Sequence, residues 1–209
     1  MNIVYRFANI DDKDAKDIAY VSAKSWYDTY QNIMPIDYLK DRLDNLNLAT
    51  INTKKFLENA KDYLVCEIDN KIVGICYYSD SKKEEYKDYG YLEALYLLKE
   101  YQGLGIGKKM FKKVVQGLIN KGYNKMYLEC AVGNDTINFY KKYGGKVVDT
   151  TGYHIKNFSI FVDIIVYDDL NKTLKILKWE NYDKRSSTRW FKWWFFWTML
   201  WRIFILPLK

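Results

Sequence analysis

The chain has 209 residues, with 33 Lys and Arg against 26 Asp and Glu and a formal net charge of +7 at pH 7. Lys184, Arg185, Arg189, Lys192, Arg202 and Lys209 follow Asp183 with no acidic residue among them, which leaves 27 basic and 26 acidic residues, a net of +1, in residues 1–183. The basic balance therefore belongs to the C-terminal end and gives no reason to expect a nucleic-acid-binding body, while a single histidine, His154, argues against histidine-built metal centres and histidine triads.

Residues 3–8 alternate like a strand and lack the apolar core of a signal peptide. Asp11 or Asp12 then caps a helix with Ile18, Ala19, Ser22, Ala23 and Trp26 at helical spacing, and the helix continues through Tyr30 until Pro35 breaks the chain. A second helix over about 36–46 sets Ile36, Leu39, Leu43 and Leu46 on one face, and a short third helix falls around 52–60. Runs 63–68 and 72–79 flank the polar turn Asp69-Asn70-Lys71 as a hairpin. The lysine-rich and acidic segment 80–88 reads as a solvated loop, and 90–98 as the next strand.

That strand runs into Gln102-Gly103-Leu104-Gly105-Ile106-Gly107-Lys108, and Ile106, Met110, Val114, Val115 and Leu118 then recur at helical spacing up to Gly122, a C-cap residue. Glycines let backbone N–H groups turn inward with no Cβ in the way, and a helix start adds unpaired N–H groups, so the segment suits a pyrophosphate. Lys108 and Lys109 oppose the helix dipole unless an anion sits there. Two better-known glycine motifs do not fit: the dinucleotide fingerprint needs a glycine at the Lys108 position, and the P-loop needs one at Gln102 and Ser or Thr after its lysine. A strand over 125–132 follows, then Asn134-Asp135-Thr136 caps a helix over 137–143, ended by Gly144-Gly145, and strands 146–150 and 158–167 close the series. Cys66, Cys76 and Cys130 each fall inside an apolar strand, which predicts reduced, buried thiols and a cytoplasmic protein.

The spacing of Gln102, Gly105 and Gly107 resembles the Gln/Arg-x-x-Gly-x-Gly/Ala acetyl-CoA motif of the GCN5-related N-acetyltransferases. The stretch Trp26 to Leu39, with Tyr30 and then Ile33-Met34-Pro35 before Tyr38, resembles the first two helices of many bacterial members. The stretch from Asn134 through Phe139-Tyr140 to Gly144-Gly145 resembles the family's Asn, Phe-Tyr-x-x-x-Gly-Phe signature, except that Gly145 stands where an aromatic residue is usual, a departure expected to loosen the local core.

The resemblance implies an α/β fold: a mixed, mostly antiparallel sheet of six to seven strands flanked by helices, with acetyl-CoA in the cleft between the fourth and fifth strands. It implies direct acetyl transfer to a primary amine of a small molecule or peptide, with no metal and no nucleic acid, and a homodimer is common among such proteins. Gly103 to Lys108, with Leu104 and Ile106, would hold the pyrophosphate; Leu95, Tyr96 and Leu97 would line the pantetheine arm; Gln102 and Asn134 would contact the cofactor. Trp26, Tyr27 and Tyr30 would border the acceptor. Tyr140, one of 20 tyrosines with Tyr143 as its nearest alternative, would protonate the thiolate. Glu93 is the candidate base, because a carboxylate inside an apolar strand costs desolvation unless it has a partner or a role, and strict alternation puts it on the face of Leu95 with Ala94 opposite. A non-catalytic CoA-binding module is the rival reading.

These features place an N-acetyltransferase domain at 1–177. The tail, 178–209, is basic and rich in Trp and Phe, with Lys192 and Arg202 interrupting its apolar run. Its composition fits a segment lying at a membrane surface, a partner-binding segment, or a read-through or frameshift extension foreign to the domain.

Overall fold

The computed structural model describes residues 2–60 and 62–178; the stretch from 179 onward, with the readings attached to the tail, lies outside them. Strand β1 (Ile3–Phe7) leads into α1 (Asp12–Tyr30), whose first turn is closed by the Asp11 carboxylate accepting the Asp14 N–H at 2.8 Å. Arg6 ties this corner together, donating to both Asp14 oxygens and to Glu67. Helix α2 (Ile36–Asp44) begins directly after Pro35. Helix α3 (Leu46–Leu57) starts at Leu46 rather than near residue 52, because Asn45 ends α2 by donating to the Asp41 carbonyl and the chain turns straight into the next helix without a linker.

Strands β2 (Tyr63–Ile68), β3 (Lys71–Asp80), β4 (Gly90–Leu97), β5 (Met126–Ala131), β6 (Lys146–Ile155) and β7 (Phe158–Tyr167) complete a seven-stranded sheet in the order β1-β2-β3-β4-β5-β7-β6. Every neighbouring pair is antiparallel except β4 and β5. Helix α4 (Ile106–Asn120) connects those two, α5 (Ile137–Lys142) follows β5, and residues 170–178 form a further helix, α6, that the sequence reading lacks. The mixed sheet flanked by helices is the expected architecture.

Close contact between α4 and the sheet depends on two sheet glycines. A Cβ at Gly90 would stand 2.4 Å from Leu118, and one at Gly74 would stand 2.9 Å from Leu97 and 3.0 Å from Met110. Leu118 and Met110 belong to the buried α4 stripe with Ile106, Phe111, Val114 and Val115. Gly90 and Leu97 therefore share one sheet face despite an odd separation along β4. A bulge accounts for this: Tyr78 pairs with Leu92 and Tyr77 with Ala94, so Glu93 is the extra residue. The strict alternation expected for Glu93, Ala94 and Leu95 is thus corrected, because the bulge shifts the phase at Glu93.

The segment between β3 and β4 is not simply solvated. Tyr86 stacks on Tyr127 at 4.7 Å, Tyr91 covers the other side of that ring region at 4.6 Å, and Lys82 and Lys83 reach back to carboxylates of β4 and β5.

Gly145 corrects a second expectation. Its Cβ position already meets Ile165 at 2.7 Å, the Tyr140 carbonyl at 2.9 Å and the Tyr167 ring at 2.9 Å, so Tyr167 occupies the space an aromatic side chain at 145 would need, and the core is filled. Gly145→Ala is expected to overpack this junction and to cost about 2 kcal/mol, a fall of roughly 4–8 °C in Tm, read by thermal unfolding of the two proteins.

Candidate functional site

Strands β4 and β5 pair over three positions only, Gly90 with Met126, Tyr91 with Tyr127 and Leu92 with Leu128. Beyond them the bulge at Glu93 turns β4 away, and residues 93–97 and 129–131 continue without pairing to each other. The parted strands form the walls of a cavity of about 1100 Å³, with Leu95, Tyr96 and Leu97 on one side and Leu128, Glu129 and Cys130 on the other. β4 keeps its ladder to β3 through Leu97, so from Glu93 to Tyr96 its opposite edge faces the cavity without a strand partner, a row to which an extended amide chain can add.

The glycine loop forms one end of this space. Gly103 and Gly105 have φ of 76° and 78°, the left-handed region that side chains resist, and Gly105 is the N-cap of α4. No side chain caps the helix, and the Lys109 N–H bonds to the Gly105 carbonyl, so the N–H groups of Ile106 and Gly107 in the first turn point out of the helix start. Nothing lies within 4 Å of the Cβ positions of Gly103, Gly105 or Gly107. Lys108, Lys109 and Lys112 border the same end. Gln102 lines the cavity, but its side-chain amide donates to the Leu97 carbonyl at 3.0 Å and so braces the loop against the end of β4. The Ile106 side chain is buried in the core and can offer the cavity its backbone only.

Tyr140 and Asn134 line the wall opposite β4. The Asn134 side-chain oxygen accepts the Thr136 N–H at 2.9 Å, which fixes the turn into α5. Three donors hold the Tyr140 carbonyl: the Tyr167 hydroxyl at 2.9 Å and the N–H groups of Gly145 and Tyr143. The Tyr140 ring, 6% exposed, rests edge-on against Phe111 of α4 at 5.9 Å between centroids. Burial drives its phenol well above the usual tyrosine value, and Cys130, Tyr96 and Cys76 add to the shift. Burial also pushes the Cys130 thiol up to about 11, which keeps it protonated and unfit as a nucleophile near neutral pH.

Two carboxylates stand where the strands part. Glu93 accepts from the Ser79 hydroxyl at 3.1 Å and from Lys82 at 2.6 Å; Glu129 accepts from the Tyr153 hydroxyl at 2.8 Å and from Lys83 at 2.9 Å. Glu129 escaped the sequence reading although it satisfies the same criterion as Glu93, a carboxylate inside an apolar strand. Ser25 and Thr29 of α1, also missed, carry only the signal of small polar residues on a helix face.

Of the three aromatic residues expected at the acceptor, Tyr30 alone lines the cavity. Trp26 packs edge-on against Tyr30 at 5.2 Å and against Tyr96 at 6.5 Å, and lies under the Arg42 guanidinium at 4.1 Å. Tyr27 packs against the smaller core cluster, which includes Tyr30, Tyr127 and Ile164. Trp26 and Tyr27 therefore support the wall from behind. Among the described residues no cluster of three His, Cys, Asp or Glu could hold a metal, and no helix is long and apolar enough to cross a membrane.

The comparisons with known proteins bear on this cleft. The Bacillus subtilis protein described as an uncharacterized N-acetyltransferase, YuaI, is 31% identical over 144 residues, 68% of this chain and 81% of that one. The mouse thialysine N-epsilon-acetyltransferase matches a shorter stretch, 39% identical over 57 residues, 27% of this chain and 34% of that one. The PaiA N-acetyltransferase of Thermoplasma acidophilum, crystallised in complex with coenzyme A, has the same fold, with a TM-score of 0.60 and 22% identity over 78% of this chain and 98% of that one. With the acetyltransferase (GNAT) family model matching residues 23–145, from the middle of α1 across the glycine loop to the end of the Tyr140 segment, the chain belongs to the GNAT family.

Proposed function

We propose that the chain is an N-acetyltransferase that moves an acetyl group from acetyl-CoA directly to a primary amine of a small molecule or peptide, and that residues 1–177 form its catalytic domain. The observation that carries this reading is the parting of β4 and β5, which puts an anion cradle, an open strand edge, two carboxylates and a buried phenol around one cavity.

The residues fit coenzyme A. The left-handed glycines and the free space at three Cβ positions leave a cradle that any side chain would fill, and N–H groups with nearby lysines suit its pyrophosphate. Leu95, Tyr96 and Leu97 would line the pantetheine arm along the exposed β4 edge. When bound, acetyl-CoA supplies the activated acyl group. Glu93 would take a proton from the acceptor ammonium, Tyr140 would give one to the departing sulfur, and Tyr30, with Trp26 behind it, would shape the acceptor side. The name of the mouse relative, an enzyme acting on the ε-amine of thialysine, supports an aliphatic primary amine as acceptor.

Free thiol release from acetyl-CoA, followed with polyamines, aminoglycosides, amino acids and lysine-containing or N-terminal peptides, tests the reading. Release with one amine class is expected; tight acetyl-CoA binding with no release from any of them would favour a CoA-binding module instead. The cradle has its own test. Gly107 is helical with open space around it, so Gly107→Asp should leave Tm unchanged, since an acidic residue in the first turn suits the helix dipole. The added charge should weaken acetyl-CoA binding by about 30-fold, roughly 2 kcal/mol, measured by calorimetric titration.

A further inference from the structure

The connection between β3 and β4 brings two consecutive lysines onto the two cavity carboxylates. Its position is set by Tyr86 stacked on Tyr127 and by contacts of Ser81 and the Lys82 N–H with the Tyr127 hydroxyl. The lysines differ in how they are held. Lys83 is largely enclosed, bonded to Glu129 and set over the Tyr153 ring, and although burial opposes its charge, the bonds from Glu129 and Tyr153 prevail and hold its ammonium above the usual lysine value. Lys82 is 59% exposed along its side chain, while its ammonium sits 2.6 Å from the Glu93 carboxylate. An exposed pair of this kind forms and parts readily.

Glu93 is the carboxylate that, in the proposed function, takes a proton from the acceptor. A primary ammonium hydrogen-bonded to that carboxylate is the arrangement an acceptor needs, and Lys82 provides it from within the chain. We propose that Lys82 is a self-acetylation site: without an external amine, its Nζ accepts the acetyl group from acetyl-CoA bound in the same molecule. This rests on the proposed function.

In the step, the Lys82 Nζ–acyl bond forms and the acyl carbon–sulfur bond of the thioester breaks. The nitrogen sheds two protons; one goes to solvent through Glu93, and the other replaces the proton that Tyr140 gives to sulfur, so that free thiol and an uncharged amide result. Tethering makes the reaction first-order in protein. The amide cannot pair with Glu93 as an ammonium does, so modification leaves this carboxylate open to an incoming amine.

The full chain is incubated with acetyl-CoA and no added amine at several protein concentrations, then analysed by intact mass and peptide mapping. One acetyl group on Lys82 is expected, at a rate unchanged by tenfold dilution and at least about tenfold lower in Tyr140→Phe. Lys82→Arg keeps a cation beside Glu93 and should lose the mark while still releasing thiol with an external amine. Lys82 acetylated no faster than the exposed Lys71, or at a rate that scales with protein concentration, would overturn the proposal. Thiol release with an amine but no mark on Lys82 removes this inference alone; no release with any amine from either protein removes the proposed function.

Discussion

Replacing Tyr140 with phenylalanine is expected to lower kcat by about 10²- to 10⁴-fold, the range for loss of a positioned general acid, about 3–5 kcal/mol of barrier. The size follows from what the leaving group needs. A departing thiolate needs a proton, and Tyr140 lines the cavity with a phenol whose acidity burial has lowered, so it stays protonated at any pH at which the enzyme is assayed. The wild-type rate should therefore show no loss between pH 8 and 10 from this group. Its place is fixed by its own backbone: Tyr167, Gly145 and Tyr143 hold the carbonyl and Phe111 backs the ring, so removing the hydroxyl oxygen should leave the ring where it is. Acetyl-CoA affinity and Tm should change little. Tyr143→Phe serves as the control and should keep turnover within about threefold, because a structural phenol contributes no proton. Equal losses in the two variants would withdraw the role from Tyr140.

Local patterns made most of this legible. The α4 stripe from Ile106 to Leu118, the alternation of β1 and the capping by Asp11 are short-range signals, and each element stands where its pattern put it. The glycine loop was readable because backbone geometry, which only glycine adopts readily, leaves a mark in the sequence. The bulge at Glu93 was not readable. It is a register difference between β3 and β4, set by what each strand packs against, and nothing within Gly90 to Leu97 encodes it. The same applies to Gly145, where a local departure from the expected signature is compensated by Tyr167, distant in sequence. Trp26 shows the reverse case. An aromatic residue on a helix face tells which helix matters, but its rank in the wall, behind Tyr96 and Tyr30, depends on contacts across elements. The lysines of residues 80–88 read as solvated because charge runs usually are; their ion pairs with β4 and β5 arise only once the sheet is assembled.

The two carboxylates make opposite predictions, and their comparison assigns the base. Glu93→Gln is expected to lower kcat/KM by about 10²-fold or more near pH 7, with acetyl-CoA affinity unchanged. An aliphatic amine with a pKa near 10 is almost wholly protonated at pH 7, so a positioned acceptor for its proton contributes most there. As pH rises, the fraction of free amine grows about tenfold per unit, the need for Glu93 shrinks, and the gap between variant and wild type should narrow toward pH 10. A purely structural role for Glu93 predicts a gap that does not depend on pH. Glu129 is held from both sides, by Tyr153 and by Lys83 with its strengthened ammonium, so Glu129→Gln should act through the wall: KM for the amine rises, kcat changes by less than about fivefold, and the loss stays constant across pH. The pH-rate profiles of the two variants, measured side by side with a saturating thioester, decide between them. A narrowing gap in Glu129→Gln and a constant one in Glu93→Gln would exchange the roles, and with them the carboxylate from which an acceptor must displace a lysine.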